Sequence, residues 1–204
     1  MRARAEARAD DIVDVVIELL ETEGYDAVQV RTVARKARTS LATMYKLFGT
    51  RDELIVTALE KWLDAHAYSE LSVPEPGDSS DSPYETMVRV LRTVFEPWER
   101  HPRMLEAYHR ARSGPGGERL DRHGLAAVRP IIRAALPDVD PALLDEIGLV
   151  HSYVVRGAIA RFADGEISVD AIRPLLERAL YLLAANLRDD GGEAATPATA
   201  ASGG

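Results

Sequence analysis

An all-α fold follows from three features of this sequence. Apolar residues recur at helical spacing along nearly the whole chain, no stretch alternates with the period of two that a strand requires, and no unit repeats at intervals of about 20 to 50 residues. The 204 residues, 46% of them hydrophobic, are enough for one large or two small domains with a buried core.

The first helix is predicted over residues 8–23. Ile12, Val16, Leu19 and Leu20 share its apolar face, and Gly24 falls where a left-handed C-terminal cap would stand. A short second helix follows over 30–37, with Val30, Val33, Ala34 and Ala37 forming a stripe that can pack on the first. Ser40 is the N-cap expected for a third helix over 41–47. Thr50-Arg51-Asp52-Glu53 reads as a capping box opening a long fourth helix, whose Leu54, Ala58, Leu59 and Trp62 run out of the N-terminal unit. The segment 69–82, rich in Pro, Gly, Ser and Asp, then breaks the pattern. Five further helices are expected over 83–100, 102–112, 118–136, 141–164 and 169–188, with Asp140 as an N-cap and Pro141 in the first helical position. Pro97 and Pro130 lie inside strong periodic patterns and predict bends, not ends. Residues 189–204 contain no large apolar side chain and are expected to be disordered.

Charge is unevenly distributed. The net charge is −8, yet residues 27–51 carry six bases (Arg31, Arg35, Lys36, Arg38, Lys46 and Arg51) and no acid, directly after a window of seven acids from Asp10 to Asp26. Phosphate affinity depends on where cations lie and not on their sum, so the acidic total does not exclude nucleic acid. The basic window coincides with two short helices joined by a tight turn, the arrangement that lays a second helix in the major groove while the first braces it. Leu41, Met44, Tyr45 and Phe48 can anchor that second helix, leaving Thr39, Ala42, Thr43 and Lys46 to face outward. Backbone N–H groups at Ser40 and the cation of Arg51 can meet phosphates.

At Val33-Ala34, Ala37, Ser40, Thr43-Met44-Tyr45, Phe48 and Thr50-Arg51-Asp52-Glu53-Leu54 the chain resembles the TetR family of bacterial regulators. The resemblance implies a homodimer that binds operator DNA and senses a small molecule. It also implies phosphate contacts from Thr43, Tyr45 and Arg51 and base-edge approach around Leu41, Ala42 and Lys46, with Arg31, Arg38, Thr39 and Ser40 completing the candidate DNA set. Two positions depart from the family pattern. Arg38 stands where glycine usually adopts a left-handed conformation, at a cost of roughly 1 kcal/mol, and Thr39 replaces an apolar residue. The expected division is a DNA-binding domain over 1–53, a ligand-binding and dimerisation domain over 54–188, and a tail.

Within the second domain, Met87, Leu91, Phe95 and Trp98, then Met104 and Tyr108, then Leu125, Val128 and Tyr153 are the candidate ligand-lining residues, since flexible Met and large aromatics suit an adaptable apolar cavity. The stretch from Phe95 to Leu125 is similar to the actinobacterial repressors of cholesterol catabolism. That similarity implies a sterol-derived acyl-CoA thioester as inducer, with Arg103, Arg110, Arg112 and Arg119 as candidate cations for its phosphates. Regulators of drug efflux or fatty acid metabolism remain the alternative. The last two helices are apolar on more than one face, so Tyr153, Ile159, Leu176, Leu180 and Leu183 are expected at a four-helix dimer interface.

Enzymatic readings find little support. There is no cysteine, no Gly-x-Ser-x-Gly elbow, no phosphate-binding loop and no His-Glu-x-x-His pair, and the five histidines are scattered. An all-α lipid-binding enzyme would have to reveal itself by turnover of a bound thioester. No cofactor or metal is expected. The absence of a long apolar run and of a leader-like N-terminus predicts a cytoplasmic protein without a membrane partner.

Overall fold

The computed structural model describes residues 2–72, 82–185 and 187, and all its regular elements are helical. The expected tail over 189–204 and residues 73–81 of the linker lie outside them. Helix α1 (Arg2–Thr22) is followed by a 3-10 turn (Tyr25–Ala27), α2 (Val30–Lys36), α3 (Leu41–Phe48) and α4 (Arg51–Leu63), which widens into a π-type turn over Asp64–Tyr68. Then come α5 (Pro83–Arg100), α6 (Pro102–Arg112), α7 (Glu118–Ala135), α8 (Pro141–Ala163), a second 3-10 turn (Val169–Ala171) and α9 (Ile172–Leu183).

Local chemistry explains most boundaries. Gly24 leaves α1 with φ 88°, and its N–H reaches the Leu19 carbonyl at 2.9 Å, closing the helix end. Ser40, Thr50 and Asp140 each accept a backbone N–H at the start of α3, α4 and α8, from Thr43, Glu53 and Ala142 respectively. A full capping box forms at Ser82 and Glu85, a pattern present in the sequence but overlooked there because it adjoins the linker. Pro97 and Pro130 sit inside continuous helices. Gly117 is required where α6 turns into α7, because a Cβ there would lie 2.2 Å from the Arg112 carbonyl oxygen.

Two expectations shift. Helix α1 begins at Arg2, six residues before the expected residue 8, since periodicity marks only the part of a helix that packs. The last helix opens with the 3-10 turn and runs from Ile172, later than the predicted 169.

The head formed by α1–α4 and the helices after it share one core. Ile12, Val16, Leu19 and Leu20 of α1, Leu54, Leu59 and Trp62 of α4, Phe95, Trp98, Met104 and Leu105 of α5 and α6, and Ile159 and Leu176 of α8 and α9 form a continuous apolar cluster. A second cluster joins Met87 and Val88 to Leu136, Leu144, Ile147 and Leu180. Apolar packing is thus unbroken across Glu53, where the sequence puts its domain boundary.

Candidate nucleic-acid interface and sensor core

The turn between α2 and α3 closes by hydrogen bonds. Ala37 N–H reaches the Val33 carbonyl at 2.8 Å and Thr39 N–H reaches the Ala34 carbonyl at 2.9 Å, with Arg38 between them at φ 50°. This geometry ends a helix with one residue in the left-handed region, and Arg38 is the non-glycine residue that adopts it among the described residues. Replacing Arg38 by Gly is expected to raise stability by about 1 kcal/mol, or about 2–4 °C in Tm. A thermal melt that falls instead would mean that the arginine stabilises the turn through its side chain.

Thr39 departs from its expected outward orientation. It is half-buried, and its Oγ1 is shut off from solvent without a hydrogen-bond partner among the described residues. An orphaned hydroxyl loses its water without recompense. Thr39→Val, which keeps the shape and discards the polar atom, should therefore stabilise the fold by about 1 kcal/mol in urea denaturation; destabilisation would show that the hydroxyl is satisfied in solution.

Helix α3 divides cleanly by exposure. Met44 is buried at 2% exposure and Phe48 is half-buried, so these two anchor the helix. Leu41 and Tyr45 were expected to anchor it too, but they are 38% and 56% exposed and face out with Ala42 and Lys46. Met44 and Phe48 fill the space beneath the helix and leave Leu41 and Tyr45 at its rim. Ser40 Oγ sits 2.9 Å from Thr43 Oγ1, which ties the half-buried Thr43 to the helix start.

Four of the cations around this face are uncompensated among the described residues. Arg31, Arg35, Arg38 and Lys46 have no carboxylate within ion-pair distance among the described residues, while Lys36 pairs with Glu23 at 3.4 Å. Arg51, expected to meet phosphate, is turned inward: it donates to the Val28 and Tyr25 carbonyls and lies 4.5 Å from the centre of the Tyr25 ring.

Beyond the head, most arginines are matched. Arg112 and Arg156 share Asp121, Arg119 pairs with Glu60, Arg129 and Arg133 share Asp145, and Arg92 and Arg173 bind Glu177 and Glu99. All four arginines considered for a thioester's phosphates are engaged, Arg110 with Asp26 and Arg103 with the Thr22 carbonyl.

The nine candidate ligand-lining residues do not converge. Phe95, Trp98 and Met104 are buried in the shared core, where the Trp98 ring lies tilted against Trp62 at 4.7 Å and 5.3 Å from Tyr108. Met87 belongs to the second cluster, Leu91 borders both, and Val128 is half-buried on α7. Leu125 and Tyr153 are exposed on the outer surface, Tyr153 within a second apolar stripe that α8 turns away from the core. Sequence reasoning missed Tyr68, at the π-type turn. Its hydroxyl lies 3.1 Å from where a Cβ would stand on Gly124, and burial pushes its pKa above the ordinary tyrosine range. Burial likewise pushes Tyr108 up to about 12. Both phenols are neutral donors, and neither hydroxyl has a hydrogen-bond partner among the described residues. An aromatic residue at the end of a helix that widens was the available signal.

The expected dimer residues also need correction. Ile159, Leu176 and Leu180 are buried within the monomer and Leu183 is half-buried; Tyr153 alone of the five is exposed, at 62%. The outward apolar face is formed instead by Leu149, Val150 and Tyr153 of α8 and by Leu175, Tyr181 and Leu182 of α9. A helix with two apolar faces does not disclose from its sequence which one the monomer uses.

Comparison with known proteins agrees with this architecture. Residues 12–58 match the family described as bacterial regulatory proteins, tetR family, and residues 80–183 match the tetracyclin repressor-like C-terminal domain. The chain belongs to the TetR family of bacterial transcriptional regulators. It is similar to the HTH-type transcriptional repressor KstR of Rhodococcus jostii, with 30% identity over 104 residues covering 51% of this chain and 47% of that protein. The chain thus matches about half the length of that curated relative. In fold it is similar to a TetR transcriptional regulator from Rhodococcus sp. RHA1, with TM-score 0.70, 22% identity and coverage of 92% of this chain and 100% of the other. It is also similar to the Streptomyces coelicolor TetR family protein ActR in complex with (S)-DNPA, with TM-score 0.53, 19% identity and coverage of 90% and 98%. No helix among the described residues is long and apolar enough to cross a membrane.

Proposed function

We propose that this chain is a ligand-responsive transcriptional repressor that binds a near-palindromic operator as a homodimer and is released by a hydrophobic inducer. The observation that carries this reading is the face around α3. Leu41, Ala42, Tyr45 and Lys46 project from a helix-turn-helix, flanked by the uncompensated Arg31, Arg35 and Arg38. Small and apolar side chains permit close approach to base edges and thymine methyls, and free cations supply the phosphate affinity. Arg51 contributes by fixing the turn that carries α2.

Homodimerisation through α8 and α9 is supported by the exposed stripe of large apolar residues there and by Gly148 and Gly157 beside it, where a Cβ would meet nothing within 4 Å. Glycine in an exposed helix interior costs about 0.5–1 kcal/mol, and close approach of a second helix gives it a use. Residues 1–53 act as the reading head and 54–188 as the sensor, with ligand binding favouring a conformation in which α4 holds the two heads at the wrong separation.

The inducer is a sterol-derived acyl-CoA thioester in this reading, controlling genes of sterol or lipid breakdown. Tyr68 and Tyr108 are buried phenols that offer neutral donors for an oxygen upon it. Because Arg103, Arg110, Arg112 and Arg119 are engaged, the decisive experiment compares two ligands. Fluorescence anisotropy on DNA from upstream of the protein's own gene, titrated with the thioester and with the corresponding free acid, should show tight binding released by the thioester. Equal release by the acid would assign recognition to the sterol and leave the phosphates in solvent. Release by neither would keep the repressor and reassign the inducer to another pathway. Failure to bind DNA at low salt, also after selection from random sequence, would overturn the repressor.

A further inference from the structure

The connection between α1 and α2 is held from outside the head. Gly24 turns the chain out of α1, and the 3-10 turn Tyr25–Ala27 that follows has no side-chain cap at its N-terminus. Two guanidinium groups lie over the Tyr25 ring, Arg51 at 4.5 Å and Arg110 at 4.2 Å from its centre. Arg51 belongs to the head. Arg110 belongs to α6 and also bonds both carboxylate oxygens of Asp26, each at 2.8 Å. Seven residues earlier on α6, Arg103 donates to the Thr22 carbonyl at the end of α1. His101, just before α6, lies 3.4 Å from Glu21, which also accepts the Trp62 indole N–H at 2.9 Å. Helix α6 and the residue just before it therefore touch the head at Glu21, Thr22, Tyr25 and Asp26.

We propose that Arg110 and Tyr25 are positioning residues that transmit the placement of α6 to α2, and through α2 to α3. The inference rests on the reading of α6 as sensor and α3 as DNA reader, and it adds to α4 a second route between them. A lone exposed ion pair would carry little. Here one planar group makes a two-pronged carboxylate contact and a ring contact on adjacent residues, and both demand the same orientation of that plane. A shift of α6 larger than the Arg110 side chain can follow breaks the fork or lifts the guanidinium from the ring. Tyr25 and Val28 give their carbonyls to Arg51, and Val30 opens α2 two residues later, so the displacement reaches the reading helices along a short, bonded path.

Hydrogen exchange on the full-length protein tests this, with Arg110→Gln, Arg110→Lys and Tyr25→Leu beside the wild type. Arg110→Gln should speed exchange at residues 26–36 by about five-fold or more, with the global urea midpoint and exchange in α8 and α9 unchanged. Arg110→Lys should recover part of the loss, because it restores charge without the planar fork. Tyr25→Leu should match Arg110→Gln. Unchanged exchange at 26–36 in Arg110→Gln, or a change that merely follows a lowered urea midpoint, would overturn the proposal. Affinity for the upstream DNA, read in parallel, separates the layers. Faster exchange with unaltered DNA affinity would overturn the transmission to α3. Faster exchange in a protein that never binds DNA would retain the mechanical link and overturn the DNA reader.

Discussion

In the proposed homodimer, Leu182→Glu combined with Tyr153→Glu is expected to leave only monomer at micromolar concentration. Leu182 and Tyr153 are 59% and 62% exposed, so neither substitution disturbs the monomer core, which is built by Ile159, Leu176 and Leu180 on the opposite sides of the same helices. In a two-fold interface each new carboxylate appears twice, and burying unpaired charges costs several kcal/mol. A loss of about 4 kcal/mol weakens association about a thousand-fold. Sedimentation velocity should show a monomer with unaltered helical circular dichroism, and affinity for a palindromic operator should fall with it, since a single head keeps only half the contacts. A variant that remains a dimer would put the interface elsewhere on the molecule.

Trp62→Ala should remove about 3–5 kcal/mol of stability. Trp62 is fully buried, its indole N–H bonds Glu21 at 2.9 Å, and its ring contacts His66 and Trp98 at 4.7 Å each and His101 at 5.6 Å. Truncation opens a cavity where α1, α4, α5 and α6 meet and strips Glu21 of a donor. Trp62→Phe keeps most of the volume and forfeits the hydrogen bond, so about 1–2 kcal/mol is expected for it. Urea denaturation of both variants resolves the two contributions. A loss below about 1 kcal/mol for Ala would mean that the surrounding helices collapse into the space.

The sequence made the helices legible because each has a face with a 3.6-residue period, and the turn was legible from the apolar stripe of α2 and the Ser40 cap in spite of Arg38, which takes a positive φ that glycine would have signalled. It was least informative where one residue type serves two ends. Leu41 and Tyr45 look like anchors by hydrophobicity, yet Met44 and Phe48 already fill the space beneath α3. Leu176 and Leu182 are the same side chain on the same helix, one inside and one outside, and only the packing of α8 against α9 distinguishes them. The arginines misled for a related reason. A cation in a sequence carries no record of its partner, so Arg51, Arg110 and Arg119 resemble phosphate ligands until Tyr25, Asp26 and Glu60 are found beside them.

The unbroken apolar cluster from α1 to α9 limits how this chain can be recombined. A chimera joined at Glu53 would place a foreign surface under Leu54, Leu59 and Trp62 and would discard the partners of Arg103 and Arg110. The portable cassette is therefore larger than the segment that reads DNA: α1 to α4 together with the side of α6 that faces them. Grafts that respect that seam should inherit both specificity and response, while grafts at the head's sequence boundary should inherit neither.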